Sequence, residues 1–148
     1  MENSAEQWVS DDGARIDRRI FSAEDIYRQE QKKIFGKCWL FLAHESQLSE
    51  VGDFFTTYMG EEPVVVWRNP HGRIRVFLNS CRHRGNKLCR LDEGNAPRLT
   101  CSFHGWTYDC EGKLVGVPQL HNAYYDELDR EQWGLIEVPQ VQLYEVCA

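Results

Sequence analysis

Two short stretches hold residues whose types and spacing could do chemistry: Cys81-Arg82-His83-Arg84-Gly85 and Cys101-Ser102-Phe103-His104-Gly105-Trp106. The pattern is C-x-H, seventeen residues, then C-x-x-H, with a glycine one or two residues after each histidine. Each stretch supplies one thiolate and one imidazole, donors suited to iron or zinc. Two such loops, facing each other, suit a binuclear iron–sulfur centre in which two Cys ligate one iron and two His the other. Gly85 and Gly105 would let backbone N–H groups approach the sulfides where a side chain would block them. Trp106 would shield such a centre from water, or simply pack. A tetrahedral zinc ion is the rival for the same four donors. Zinc fingers usually present Cys with Cys and then His with His, whereas this chain alternates.

Around the loops the pattern is mainly antiparallel β with one N-terminal helix. Residues 1–20 are polar and charged and read as an extended arm. Ser22-Ala-Glu-Asp25 has the form of a capping box opening a helix over 22–35, with Ile26, Tyr27, Ile34 and Phe35 on one stripe and Gly36 as terminator. Short strands are expected at 39–43, 53–58, 63–67, 73–78, 98–100, 107–108, 113–115, 134–138 and 141–146, with a turn at Asn69-Pro-His-Gly72 and a mixed loop or short helix over 120–133. Trp39 and Trp67 are expected in the core. Cys38, Cys89, Cys110 and Cys147 read as structural or tolerated, and His44, His71 and His121 as ordinary packed, turn and loop residues. The expected division is an arm and helix over 1–36 and a cluster-bearing domain over 37–148.

Composition bounds the rest. The chain has 148 residues, 42% apolar and 27% charged, a globular balance for one domain. A net charge of −6 argues against binding a nucleic-acid backbone as the main task. No apolar run approaches the length of a membrane helix, and the N-terminus lacks the basic and apolar regions of a signal peptide. A soluble, cytoplasmic protein is the expectation. In a reducing compartment six cysteines point to metal binding or burial rather than disulfides.

The two loops, with Trp39-Leu-Phe-Leu-Ala-His-Glu-Ser46, Gly52-Asp-Phe-Phe-Thr-Thr-Tyr-Met-Gly60, Val76 to Gly85, Asp92-Glu-Gly-Asn95 and Cys101 to Tyr108, resemble a Rieske [2Fe-2S] domain. More narrowly they resemble that of the large (α) subunit of bacterial aromatic-ring-hydroxylating dioxygenases, from about residue 8 nearly to the end. The resemblance implies a Rieske fold of stacked antiparallel sheets with two loops at one end, and Cys81, His83, Cys101 and His104 as ligands. It implies one-electron transfer, a ferredoxin or reductase as donor, and neighbouring α and possibly β subunits as assembly partners. Arg84, with Arg82 beside it, is the docking candidate, and Lys87 and Arg90 add two further cations near the first loop. Many relatives carry Tyr where this chain has Phe103.

The resemblance also implies an oxygen-activating mononuclear iron, held by two His and a carboxylate in a further domain. No such triad is credible here, and the ending inside a strand candidate suggests an α subunit cut before its catalytic domain, inactive in hydroxylation by itself. The alternatives are a stand-alone Rieske ferredoxin or a zinc-stabilised structural module. High-potential relatives carry extra loop cysteines and sulfur-directed hydroxyls. With Asn86, Phe103 and Trp106 at those positions, the expected potential lies near the low end of the Rieske range, about −150 mV.

Overall fold

The structure, a computed structural model, describes residues 8–144. Two compact units are distinguished, Met1–Leu40 and Phe41–Ala148.

In the first unit, residues 8–17 fold into a small hairpin closed by a Val9–Ile16 bridge, rather than an extended arm. Ser10 supports its turn, accepting from Arg15 N and donating to the Asp12 carboxylate. The Asp17 carboxylate then caps a 3-10 turn, Arg18–Phe21, by accepting from Arg19 N. Ser22 terminates that turn by donating its backbone N–H to Arg19 O, and α1 (Glu24–Glu30) begins one residue later than expected, with Ala23 as its N-cap. The capping-box expectation fails because alanine, which has no side-chain acceptor, holds the N-cap position. The helix widens into a π turn, Gln31–Phe35, and stops at Gly36 as expected. A side chain at Gly36 would sit 3.0 Å from the Gln31 carbonyl oxygen. Of the expected stripe only Ile26 is buried; Tyr27, Ile34 and Phe35 are exposed.

The second unit is built on two antiparallel sheets. The larger contains β1 (Asp53–Met59), β2 (Glu62–Arg68), β3 (Ile74–Leu78) and β4 (Glu93–Asn95), in the order β3-β2-β1-β4. The smaller contains β5 (Arg98–Thr100), β6 (Thr107–Asp109) and β7 (Leu114–Gly116), in that order. The expected stacked antiparallel β class is the fold observed. The unbroken run Val64-Val-Val-Trp67 is apolar because β2 is covered on both faces. Val65 and Trp67 point into the core that also holds Phe77, Cys81, Cys101, Trp106 and Tyr108, while Val64 and Val66 join Leu48 and Val76 in a second cluster. This is the period-2 alternation of a strand, and each such buried side chain contributes about 1.5–3 kcal/mol.

β4 was not foreseen as a strand. It is short and exposed, and its Gly94 pairs opposite Phe54. A Cβ there would meet the Phe54 ring at 2.8 Å, so the sequence shows glycine where a strand residue was needed.

Two strand expectations fail. Residues 39–43 are irregular, with Trp39 and Phe41 exposed, so Trp39 is not a core residue. A short apolar run without alternation specifies no register. Residues 134–138 make a bridge, Glu137 opposite Phe77, flanked by Leu78 N to Ile136 O and Val138 N to Val76 O. They lie along the outer edge of β3 without becoming a full strand. Residues 141–144 are irregular, and the rest of the 141–146 candidate lies outside the described residues, as does Cys147. Over 120–133 the chain forms α2 (Leu120–Tyr124) and a 3-10 turn at Arg130–Trp133. Among the described residues no helix is long and apolar enough to cross a membrane.

Candidate metal centre

The first loop leaves β3 through Asn79 and Ser80; the second is the connection between β5 and β6. Their backbones are near copies. Gly85 N donates to Cys81 O (2.8 Å) and Cys81 N to Asn86 O (2.8 Å). Gly105 N donates to Cys101 O (2.9 Å) and Cys101 N to Trp106 O (2.8 Å). Gly85 and Gly105 have φ of 70° and 73°, left-handed values that a side chain would strain. The sequence-stretch symmetry, one Cys, one His and one Gly per loop, is thus a symmetry of backbone closure.

Asn79 anchors the first loop from behind. It is 1% exposed, donates from Nδ2 to Cys89 O (2.8 Å) and accepts at Oδ1 from Cys89 N (2.8 Å). A buried carboxamide with both ends used fixes the return of the chain after the loop. Cys89 is thereby a packed structural residue, and Cys110 is also buried, whereas Cys38 is exposed.

The four candidate donors come together in pairs. Cys81 and Cys101 are buried free thiols within hydrogen-bonding reach of each other. The His83 and His104 rings meet edge to face, with centroids 4.7 Å apart. His83 Nδ1 is buried and has no hydrogen-bond partner. A buried ring nitrogen without a partner is costly unless something else fills the position, and a metal does so. Thiol beside thiol and imidazole beside imidazole is the pairing that a two-iron centre with two Cys on one iron and two His on the other requires. The donor set fits a [2Fe-2S] cluster.

Donors surround the sulfurs. Tyr108 is fully buried, its Oη 3.5 Å from Cys81 Sγ. The same oxygen accepts from Arg82 N at 3.1 Å, which turns its own hydrogen towards the sulfur. Burial beside that sulfur pushes the phenol far up, so it keeps its proton. Burial also pushes the Cys81 thiol up, against the pull of Tyr108 and the His83 N–H. At Cys101 burial acts upward too, but the N–H groups of Phe103 and His104, with the Asn86 amide, outweigh it and bring the thiol down. Burial, His104 and Arg84 together hold the His83 imidazole below its ordinary value, hence neutral and able to ligate. Beside the positions where the sequence lacks sulfur-directed hydroxyls, the structure brings two donors the sequence reading did not name, Tyr108 and Asn86. Tyr108 sits on β6, and its sulfur partner lies 27 residues earlier in the chain.

Trp106 is 2% exposed and stacks on His83 at 4.9 Å with an interplanar angle of 11°. Trp133 and Tyr124 meet its ring edge-on at 5.6 and 6.2 Å. The shield read from sequence is therefore a wall against one histidine only. His104 is exposed, with Phe103 tilted over it at 3.8 Å. Of the four cations, Arg84 and Arg90 are exposed. Arg82 places its guanidinium 5.9 Å above the Trp133 ring, and Lys87 lies 5.6 Å from the Tyr58 ring. His44 bonds to Ser46, His71 sits in the 69–72 turn, and His121 bonds to Asp126, all outside the donor set.

The comparisons agree with this geometry. The Rieske [2Fe-2S] domain family matches residues 38–142. Biphenyl 2,3-dioxygenase subunit alpha from Rhodococcus jostii is 49% identical over 93% of this chain and 29% of its own length. Benzene 1,2-dioxygenase subunit alpha from Pseudomonas putida is 45% identical over 95% of this chain and 31% of its own. A crystal structure of a naphthalene 1,2-dioxygenase variant bound to phenanthrene superposes with a TM-score of 0.82 and 38% identity, covering 97% of this chain and 32% of that one. The chain thus spans about 30% of the length of the curated relatives it matches. Loops, buried donors and likeness converge: this chain belongs to the Rieske [2Fe-2S] domain family, alongside the α subunits of aromatic-ring dioxygenases.

Proposed function

We propose that this chain moves electrons one at a time through a [2Fe-2S] cluster held by Cys81 and Cys101 on one iron and His83 and His104 on the other. The unpartnered, buried Nδ1 of His83, on a ring that meets the His104 ring edge to face, is the observation that carries the assignment. When bound, such a cluster accepts and returns a single electron. Residues 37–148 are assigned to the cluster-bearing part and 1–36 to a preceding segment that holds the hairpin and helix. Gly85 and Gly105 leave room for backbone N–H groups at the cluster's edge. Tyr108 holds a proton at Oη for the Cys81 sulfur, and Trp106 keeps water from the His83 side. His104 offers an exposed ring edge as the route in and out.

The wider role is that of the electron-receiving part of an aromatic-ring-hydroxylating dioxygenase α subunit, working in the cytoplasm. A ferredoxin or reductase would supply electrons. Arg84, exposed beside His83, would dock a neighbouring α subunit, with Arg82 holding the loop through Trp133. Oxygen activation is assigned to a mononuclear Fe(II) site in a further domain of such an α subunit, and β subunits to the full assembly. The test is anaerobic purification with metal and sulfide analysis. About two irons and two sulfides per chain, with visible absorption bleached by reductant, is the expected result. Stoichiometric zinc without visible absorption would overturn it.

A further inference from the structure

Asn86 lies one residue beyond the first loop, at a position where nothing in the motif demands a polar side chain. Its backbone carbonyl accepts from Cys81 N at 2.8 Å, so its main chain closes the first loop. Its side chain reaches across to the second. Nδ2 lies 3.0 Å from Lys87 O, 3.5 Å from Cys101 Sγ and 3.5 Å from Ser102 Oγ. The orientation of the carboxamide is fixed by Arg90, whose Nη2 is 3.3 Å from Asn86 Oδ1. A guanidinium can only donate, so the oxygen faces Arg90 and the NH2 faces the second loop.

An NH2 has two hydrogens for three acceptors. The Lys87 carbonyl, at an ordinary distance, takes one. The other is offered to a sulfur and a hydroxyl oxygen at equal distance. A separation of 3.5 Å is long for N–H···O but ordinary for the larger sulfur atom, so Cys101 Sγ receives it. One residue therefore closes the backbone of the first loop and donates to the thiolate ligand of the second.

We infer that Asn86 is a positioning residue that raises the reduction potential of the centre by donating a hydrogen bond to the Cys101 sulfur, and that Arg90 orients it for that purpose. This rests on the cluster assignment above. Reduction would add one negative charge to the centre. A fixed N–H dipole aimed at a ligand sulfur stabilises the reduced state more than the oxidised state. A residue that merely held the turn would change stability but leave the potential alone.

The experiment is protein-film voltammetry at neutral pH on the cluster-loaded 148-residue chain and on Asn86→Leu, Asn86→Asp and Asn86→Gln, each with a thermal unfolding curve. Asn86→Leu should lose about fivefold in its preference for the reduced state, which at 59 mV per decade is a midpoint lower by roughly 40 mV. Asn86→Asp should fall further, since a like charge replaces the donor. Asn86→Gln, keeping the carboxamide, should recover part of the shift. Unmoved midpoints in the Leu and Asp variants, with only the melting temperature changed, would overturn the inference while leaving the cluster assignment intact. A wild-type chain that holds no two-iron cluster would overturn both. Should Asn86→Leu fail to assemble a cluster, the isosteric Asn86→Asp decides on the same criterion.

Discussion

The loop at 81–85 and the loop at 101–105 close with matching backbone bonds and matching left-handed glycines, yet their surroundings diverge. The first is set into the core. His83 is half-buried against Trp106, its thiol is pushed up by burial, and Asn79 and Tyr108 brace it from behind. The second faces outward. His104 is exposed, and the Cys101 thiol is brought down by its own loop's N–H groups together with Asn86. One backbone device used twice presents a thiol and an imidazole from each loop; the packing behind it buries one imidazole more deeply and leaves the other at the surface. Similar short motifs thus set the donors, and neighbours far along the chain set the difference between the two loops.

The comparison can be broken most severely at the thiols. Cys81→Ser and Cys101→Ser should each reduce bound iron and sulfide from about two per chain to near none, because in the proposed ligation both thiols hold the same iron. Metal and sulfide analysis checks this, and retention of a full cluster by either variant would show that one loop suffices.

The glycines sharpen it. Alanine at either position meets a positive φ, a cost of about 1–2 kcal/mol. At Gly85 the new methyl finds only Ser80 Oγ, at 3.9 Å, whereas at Gly105 it would lie 2.7 Å from Pro118 Cγ in a rigid ring. Gly105→Ala should therefore lose about 1–3 kcal/mol more than Gly85→Ala, the usual range for overpacking. Denaturant unfolding of the two variants side by side checks the difference.

The smallest effect concerns a clip that serves both loops alike. Arg75, on the strand leading to the first loop, bonds Glu137 and, at 2.6 Å, Glu111 at the β6–β7 turn of the sheet bearing the second. Hydrogen bonding to Arg75 holds the Glu137 carboxyl below the usual glutamate range. A lowered folded value means the contribution is present at neutral pH and is lost as pH falls through that range. Glu137 is partly exposed and screened, so the loss should stay within about 0.5 kcal/mol. Urea unfolding of wild type and Glu137→Gln should differ at pH 7 and converge in acid; a gap that persists in acid would contradict it.

What the sequence made legible follows from locality. The donor loops were readable because spacing within a few residues determines which side chains a tight turn presents. β1, β2 and β3 were readable because their strand pattern and turns are consecutive. Tyr108 and Asn86 were missed as sulfur donors because their partners lie 27 and 15 residues away. Trp39 misled because an apolar residue states a preference for burial without stating whether a partner surface exists, and β4 was hidden because Phe54 needs glycine opposite it.

The Arg75 clip has a consequence for how the centre comes into being. β1, β2 and β3 join through short turns and can pair as soon as they are made. Glu137 lies 62 residues after Arg75, so the contact that closes the outer edge of β3 must wait for it. At ordinary rates of synthesis, roughly 5–20 residues per second, that wait lasts about 3–12 s. Cys101 and His104 precede Glu137 in the chain, so all four donors are made before the outer edge of β3 is covered. That edge stays open to pairing with another strand during the wait.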